Sequence, residues 1–465
     1  MNGVIDVLVS IASTPAFLVA LIALIGLLAQ RKTASDTVKG VVKTFVGFLV
    51  LGAGADFLVG ALNPFGSMFE AAFNVKGVVP NNEAIISQAL VEYGTTTALI
   101  MFFGMIVNIL IAAFTRFKHI FLTGHHTLYM AAMLAVVFTV AGLRGPLLIG
   151  LAALALGAVM SLSPWLLQRY MNRLTGQQNK VGLGHFAGVS YFLGGLLGDL
   201  LKPKSGKVKS TEDVNFPKGL AFLRDSTVAI ALTMMIVYVV VALAAGPTVI
   251  TEQQTADGGA ATNYVVYALT LGGKFAAGVF IILAGVRLIL NEIVPAFKGI
   301  SEKIVPNAIP ALDCPIVFPY APNAVLIGFL VSFAAGVVSM FIMGAAGMTV
   351  VIPGVVPHFF LGATTGVMGN ATGGIRGAIA GAALNGVIIS FLPLFLLPVL
   401  GDLGFAATTF SDTDFILTGM FFGNLAKIGT IGVVIGLVVV YALMIGWTIF
   451  AKVRKPKDAE TVSAS

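Results

Sequence analysis

Asp313 and Cys314 lie in a stretch where five prolines, at positions 306, 310, 315, 319 and 322, interrupt a series of apolar segments, with Tyr320 and Asn323 close behind. Proline removes a backbone donor, clashes with the preceding turn and turns the residue before it away from helix, so this stretch cannot be an ordinary helix. Broken backbone at membrane depth is tolerated only where it is buried in protein or lines a cavity. An acidic residue there is a functional-site candidate, and the stretch is expected to form the floor of a substrate site.

Three further polar clusters stand against the apolar background: Pro80-Asn81-Asn82-Glu83, Leu122-Thr123-Gly124-His125-His126 and Gly184-His185. Each adjoins glycine or proline, which breaks helices and lets backbone groups face a ligand. Sugars need many hydrogen bonds from Asn, Asp, Glu, His and backbone amides, supplied by several elements at once. The candidate binding residues are therefore Asp313, His125, His185, Glu83, Asn82, His126, Cys314 and Asn323, with His358 after Pro357 as an open case. Each has a plainer use: Glu83 as a loop charge, the His125-His126 pair as an interfacial cap, and Cys314 as a small buried apolar side chain. Asp313 is the hardest to explain by packing, because a carboxylate between prolines has little packing use. A metal site finds little support, since neither Cys-x-x-Cys nor His-Glu-x-x-His spacing occurs. Gly272-Gly273-Lys274 is followed by Phe275 and lacks the phosphate-loop pattern, so nucleotide hydrolysis has no support either. No cofactor, no metal and no catalytic residue are expected.

The elements that must hold these groups are transmembrane. Of 465 residues, 58% are hydrophobic and 10% charged, outside the range of soluble globular proteins. The expected fold is an all-α polytopic membrane protein, with residues 1–452 as a single transporter domain and 453–465 as a tail. Spans of about 20 apolar residues divide the chain into about eleven. They run near 15–30, 41–62, 97–114, 120–143, 146–167, 227–245, 264–290, 324–343, 350–365, 378–400 and 416–450. The stretch 63–96 is too mixed to span, and the glycine-rich 184–198 segment is too short to cross comfortably and fits a re-entrant or interfacial hairpin.

Basic residues set the orientation. Lys39, Arg116, Lys118, the 169–218 region, Lys298, Lys303 and the tail fall on one side, while the 247–262 and 401–415 loops, with Asp257, Asp402, Asp412 and Asp414, fall on the other. The amino terminus is thus expected outside and the carboxyl terminus in the cytoplasm. The net charge of +7 belongs to these loops and implies no nucleic-acid partner. The single cysteine excludes an internal disulfide. Gly77-Val78-Val79-Pro80 recurs as Gly354-Val355-Val356-Pro357, and shorter matches precede it in the same order, a pattern open to either chance or duplication.

Taken jointly, Gly77 to Ala84, Phe121-Leu122-Thr123-Gly124-His125, Leu183-Gly184-His185, Ala296 to Ile300, Leu312-Asp313-Cys314 and Phe318 to Ala324 carry a resemblance to a family. Over nearly its whole length the chain resembles the ascorbate-type membrane component, enzyme IIC, of the bacterial sugar phosphotransferase system. The resemblance implies an eleven-span homodimer in the inner membrane, with a substrate-carrying core domain moving against a scaffold. It implies uptake of a sugar or sugar acid, with L-ascorbate expected, coupled to phosphorylation by separate cytoplasmic IIB and IIA proteins. The chain itself would hold no phosphate. His125, His185 and Asp313 carry over as binding residues. Where the resemblance would place glutamines after the two histidine motifs, this chain has Tyr129 and Phe186, which bears on the substrate and not on the class. The rival expectation is an ion-coupled secondary transporter of a sugar or sugar acid, using Asp313, Glu83 and the histidines as coupling groups.

Overall fold

A computed structural model of the chain describes residues 15–74, 77–203, 208–214, 225–256, 262–400 and 408–453, with Gly219 and Phe222. The expected tail, Asp257 and Asp402 lie outside the described residues. The first half runs α1 (Pro15–Ala29), α2 (Ala34–Phe73), β1 (Gly77–Pro80), α3 (Asn82–Phe114), β2 (His119–Phe121), α4 (Gly124–Val140), α5 (Gly145–Thr175), β3 (Gly182–Leu183) and α6 (Gly188–Leu201). The second runs α7 (Ser226–Ala245), α8 (Pro247–Ala256), α9 (Tyr264–Ile304), β4 (Ile309–Leu312), α10 (Pro322–Ala345), β5 (Val350–Val351), α11 (Val355–Phe391), α12 (Pro393–Leu400), β6 (Thr408–Thr409), α13 (Thr413–Ala426) and α14 (Thr430–Val453). The protein is an all-α polytopic membrane fold. Among the described residues seven helical stretches are long and apolar enough to cross a bilayer alone, and shorter apolar helices accompany them.

Loop contacts define two faces. Arg116, Lys118, Arg169, Lys180 and Asn307 line one vestibule. The Asn323 amide donates to the Thr211 and Val214 carbonyls, the Ile375 N–H donates to the Lys209 carbonyl, and Arg173, which shares Asp199 with Arg169, donates to the Thr372 carbonyl, so these turns share that basic face. With the shorter apolar helices, and with α11 built as two arms, the long helical stretches make a multi-pass fold. The arms of α11 meet at Gly374, where φ of +63° suits only glycine and the Lys209 carbonyl leaves no room for a Cβ. The β3–α6 unit is re-entrant. It enters at the basic face and returns there, with Asp199 near its end paired to Arg169 and Arg173.

The six strands form two parallel three-stranded sheets, β5-β1-β6 and β2-β4-β3. β2, β3 and β4 start from the basic face, β1, β5 and β6 from the opposite one. Each runs to mid-depth, and five lead into an α-helix. After β4 the prolines allow only the 3₁₀ segment Cys314–Tyr320. The sheets pair backbone that lipid cannot satisfy, and side chains finish the task. Asn108 donates to the His119 carbonyl (3.1 Å) and Ser161 (2.8 Å) and accepts the Phe121 N–H (3.1 Å), tying β2 to α3 and α5. Asp414, at the start of α13, accepts the N–H groups of Gly188 and Val189 at 3.0 Å each and the Ser163 hydroxyl at 2.6 Å. That carboxylate caps α6 and joins two hairpins that enter from opposite faces.

Several expected boundaries move. The 63–96 stretch is mostly helical, because α2 continues to Phe73 and α3 begins at Asn82, where Asn82, Glu83 and Ser87 are buried inside the protein and do not face lipid. The expected gap at 366–377 is helix broken only at Gly374, and the expected 416–450 span is two helices separated at Gly429, φ +79°. Asp412 and Asp414, expected on an exterior loop, are 1% and 6% exposed. The second Gly-Val-Val-Pro is not a strand like the first: it opens α11, and β1 pairs instead with Val350–Val351.

Two packing groups emerge. α9 packs chiefly on α2 and α7, with α1 and α8 alongside, whereas α3 to α6 and α10 to α14 pack around the two sheets. Asp414→Ala would strand three donors in the second group, each buried unmet donor costing about 1–3 kcal/mol. The expected outcome is a melting temperature in detergent several degrees below wild type, with Asp414→Asn between the two; an unchanged melt for Asp414→Ala would show that the hairpin junction does not depend on this carboxylate.

Candidate functional site

The carboxyl-terminal ends of all six strands face one cavity of about 170 Å³. Asn82 and Glu83 follow β1; His125, His126 and Tyr129 follow β2; His185 follows β3; Asp313, Cys314 and Pro315 follow β4; Val356 and Pro357 follow β5; Ser411 and Asp412 follow β6. A strand that ends inside the protein and restarts as helix exposes free backbone groups at the break, and at five of the six junctions polar side chains line the same cavity, the β5 junction adding Val356 and Pro357. The remaining wall comes from α9. Leu283, Arg287 and Asn291, spaced four apart, form one stripe along it.

The residues interlock. Asp412 Oδ1 accepts from the Asn82 amide at 2.6 Å and the Ser411 hydroxyl at 2.5 Å, while Asn82 Oδ1 accepts the Ser411 N–H, locking the β1 and β6 junctions together. Asp412 Oδ2 lies 3.7 Å from His185 Nδ1 and 4.0 Å from His126 Nδ1. The imidazoles of His126 and His185 lie 3.8 Å apart between centroids. His126 Nδ1 accepts the Phe186 N–H (3.3 Å), which puts the proton of the neutral ring on Nε2. His185 Nδ1 shares a hydrogen with the Tyr191 hydroxyl at 2.9 Å. Across the cavity His125 Nε2 is 3.5 Å from Asp313 Oδ2, and Asp313 Oδ1 accepts the Cys314 N–H at 2.7 Å.

Three polar atoms of the lining are buried with no hydrogen-bond partner among the described residues: Glu83 Oε2, the Tyr129 hydroxyl and Asp412 Oδ2. Buried polar groups are nearly always paired. A ligand with several hydroxyls would satisfy two carboxylates and a phenol at once. The cluster also has donors for a metal ion, in three overlapping groups whose ligand atoms lie within 4.8 Å of one another: His125, His126 and Asp313; His126, His185 and Asp412; His185, Asp313 and Cys314. In the second group the Nδ1 atoms of both imidazoles are already engaged, with Phe186 N–H and Tyr191.

Of the eight residues proposed from sequence, seven line this cavity and Asn323 does not. Asn323 sits at the start of α10, where its amide holds the 211–214 turn. His358 is also elsewhere, bonded to Ser332 between α10 and α11. Sequence reading missed Asp412, Ser411, Arg287 and Asn291. Asp412 looked like a loop charge in a polar run, and only its burial reveals it. Arg287 and Asn291 carried a usable signal, two polar residues at helical spacing within an apolar span. Tyr129 lines the cavity, whereas Phe186 lies behind it, stacked on Phe121 at 4.5 Å.

A chain that passes the membrane many times and gathers broken helices around a small polar cavity belongs to the class of solute permeases. A family model described as "PTS system sugar-specific permease component" matches residues 10–414. The chain belongs to that family. It is also similar to the ascorbate-specific PTS system EIIC component of Mycoplasma pneumoniae, with 30% identity over 437 residues, covering 81% of this chain. The match spans 64% of that relative's own length.

The different placing of Tyr129 and Phe186 can be tested. Phe186→Gln puts an amide into a fully buried aromatic stack, so its melting temperature should fall by the equivalent of about 3 kcal/mol with the order of sugar-acid affinities unchanged. Tyr129→Gln should destabilise less and change that order; the reverse assignment in paired melting and binding measurements would place the selectivity determinant behind the wall.

Proposed function

We propose that this chain is the membrane component of a phosphotransferase uptake system, taking a sugar acid, L-ascorbate in the first instance, across the bacterial inner membrane. Family membership and the ascorbate specificity for which the Mycoplasma relative is named support the reading. The observation that carries it is the cavity: three carboxylates, three imidazoles and one amide from five chain breaks, a second amide and an arginine from α9, and three buried polar atoms without a hydrogen-bond partner among the described residues. That is the surface a polyhydroxylated ligand needs.

In this reading Asp313, Glu83 and Asp412 accept hydrogen bonds from hydroxyls. His125, His126, His185 and Asn82 donate or accept single bonds, and Arg287 offsets the charge of an acidic sugar. Cys314 contributes shape. Asn323 holds the turn behind the site. The group around the two sheets is the moving core and the α2–α7–α9 group the scaffold, with the cavity between them. Substrate would bind from outside and be carried inward, where a phosphorylated IIB protein, recharged by IIA, transfers phosphate to a hydroxyl. The chain's part is positioning, which brings the hydroxyl and the donor together. The amino terminus lies outside, the carboxyl terminus in the cytoplasm, and the protein works as a homodimer in lipid. The basic loops gathered on one face support that orientation.

Cells carrying this protein should lose uptake of labelled ascorbate when the phosphorelay is removed, even with a full proton gradient; accumulation of unmodified sugar under those conditions would favour ion-coupled transport instead. In purified protein, Asp313→Asn should weaken ligand binding by about one to two orders of magnitude, since hydrogen bonds to a charged group are worth about 1.5–3 kcal/mol. Asp313→Ala should abolish binding without loss of fold, and normal binding by a folded Asp313→Ala protein would remove that residue from the site.

A further inference from the structure

The sheet β2-β4-β3 has a second end. Where its carboxyl-terminal edge meets the sugar cavity, its amino-terminal edge, at His119 and Ile309, forms the floor of a separate vestibule of about 1040 Å³ on the basic face. Ile309 of the vestibule and Asp313 of the sugar cavity are four strand steps apart, about 13 Å at the rise of a strand.

The two chambers differ in charge. The sugar cavity is lined by three carboxylates and a single arginine. Among the described residues the vestibule is lined by Arg116, Lys118, Arg169 and Lys180, by several Asn and Gln amides, and by no carboxylate. Two of the cations are already engaged: Lys118 Nζ donates to the Ala112 and Ala113 carbonyls at the end of α3, and Arg169 pairs with Asp199. Arg116 and Lys180 have no carboxylate partner among the described residues. His119 is 2% exposed; its Nε2 lies 2.7 Å from Gln168 Oε1, and its Nδ1 is buried without a hydrogen-bond partner.

We propose that this vestibule is a binding site for a phosphomonoester dianion, the chemical form of a phosphorylated sugar acid leaving the protein. The proposal rests on the phosphotransferase reading for its physiological meaning. A dianion is repelled by the carboxylates of the sugar cavity and attracted by the unpaired cations of the vestibule. Arg116 offers a planar fork and Lys180 a point charge, the two forms of phosphate contact that side chains provide. Sugar recognition and phosphate recognition would then occupy opposite ends of one short sheet, and the charge added to the substrate would favour exit on the basic face.

Both tryptophans of the chain, Trp165 and Trp447, line the vestibule, so intrinsic tryptophan fluorescence reports on it locally. Purified full-length protein titrated with inorganic phosphate and with ascorbate 2-phosphate should give a saturable fluorescence change. Arg116→Gln and Lys180→Gln, both at exposed positions, should each weaken it by about tenfold, the loss expected for a charge-assisted hydrogen bond, while ascorbate binding in the sugar cavity stays as in wild type. Absence of a saturable change, or a change indifferent to both substitutions, overturns the proposal. A phospholipid headgroup is the other source of this chemistry, so the titration is repeated in nanodiscs of phosphatidylcholine with and without phosphatidylglycerol. A response to phosphatidylglycerol without one to the soluble esters also overturns it. A phosphate response that survives in a protein shown not to need the phosphorelay would leave the site standing and remove only the transport reading.

Discussion

Backbone hydrogen bonding at membrane depth governs this structure. A chain that stops being helix inside a bilayer must pair its N–H and C=O groups within the protein, because lipid offers no partner and each unmet group costs several kcal/mol. Here the six interruptions are gathered so that they pair with one another in two parallel three-stranded sheets. Neither sheet has lipid at its centre. Asn108, Asn82 and Asp414 supply the bonds the ladders do not reach, each joining segments that enter from different places. Tight packing of small residues allows the close approach, as where Gly198 lies against Gly369 and Gly373 and Gly328 against Gly362.

Placing all the breaks together also places the polar groups together. Parallel strands that enter from two faces and stop at mid-depth must end near one another, and whatever follows each strand then faces the same volume. The cavity is therefore a consequence of how the backbone is satisfied, and polar residues at five of the six junctions are enough to give it a polar lining. What remains unpaired there, Glu83 Oε2, Tyr129 OH and Asp412 Oδ2, is the part of the surface that the protein's own bonding does not consume.

The polytopic class, the short hairpin near His185 and most of the cavity lining were legible in the sequence, because hydrophobic length and proline or glycine breaks are local signals. Charge at a break was legible too when apolar residues surrounded it, as at Asp313 and His125. Asp412 and Asp414 were not, since Ser411, Thr413 and the polar residues nearby make a run that reads as a solvated loop. Their burial depends on β6 pairing with β1, more than three hundred residues away in sequence. Asn323 failed in the opposite direction: its position among prolines suggested the site, yet the 3₁₀ segment after Cys314 carries the chain away from the cavity to the 211–214 turn. The break was legible, and the direction taken after it was not.

The contribution of α9 has the same origin in geometry but a different consequence. Every other wall of the cavity belongs to the group packed around the sheets, and those walls are fixed to one another by hydrogen bonds. α9 packs chiefly on α2 and α7, and it offers the cavity only the Leu283, Arg287 and Asn291 stripe. Arg287 is the one arginine or lysine among the lining residues, set against Glu83, Asp313 and Asp412. Any displacement of one packing group against the other would therefore leave the polar groups of the strand junctions together and remove the balancing cation. An acidic ligand held in the cavity would feel that change directly, by Coulomb interaction in a poorly hydrated space. A neutral polyol would feel it far less. The division of the lining between two packing groups thus couples the charge of the ligand, and not merely its shape, to the relative position of the two groups.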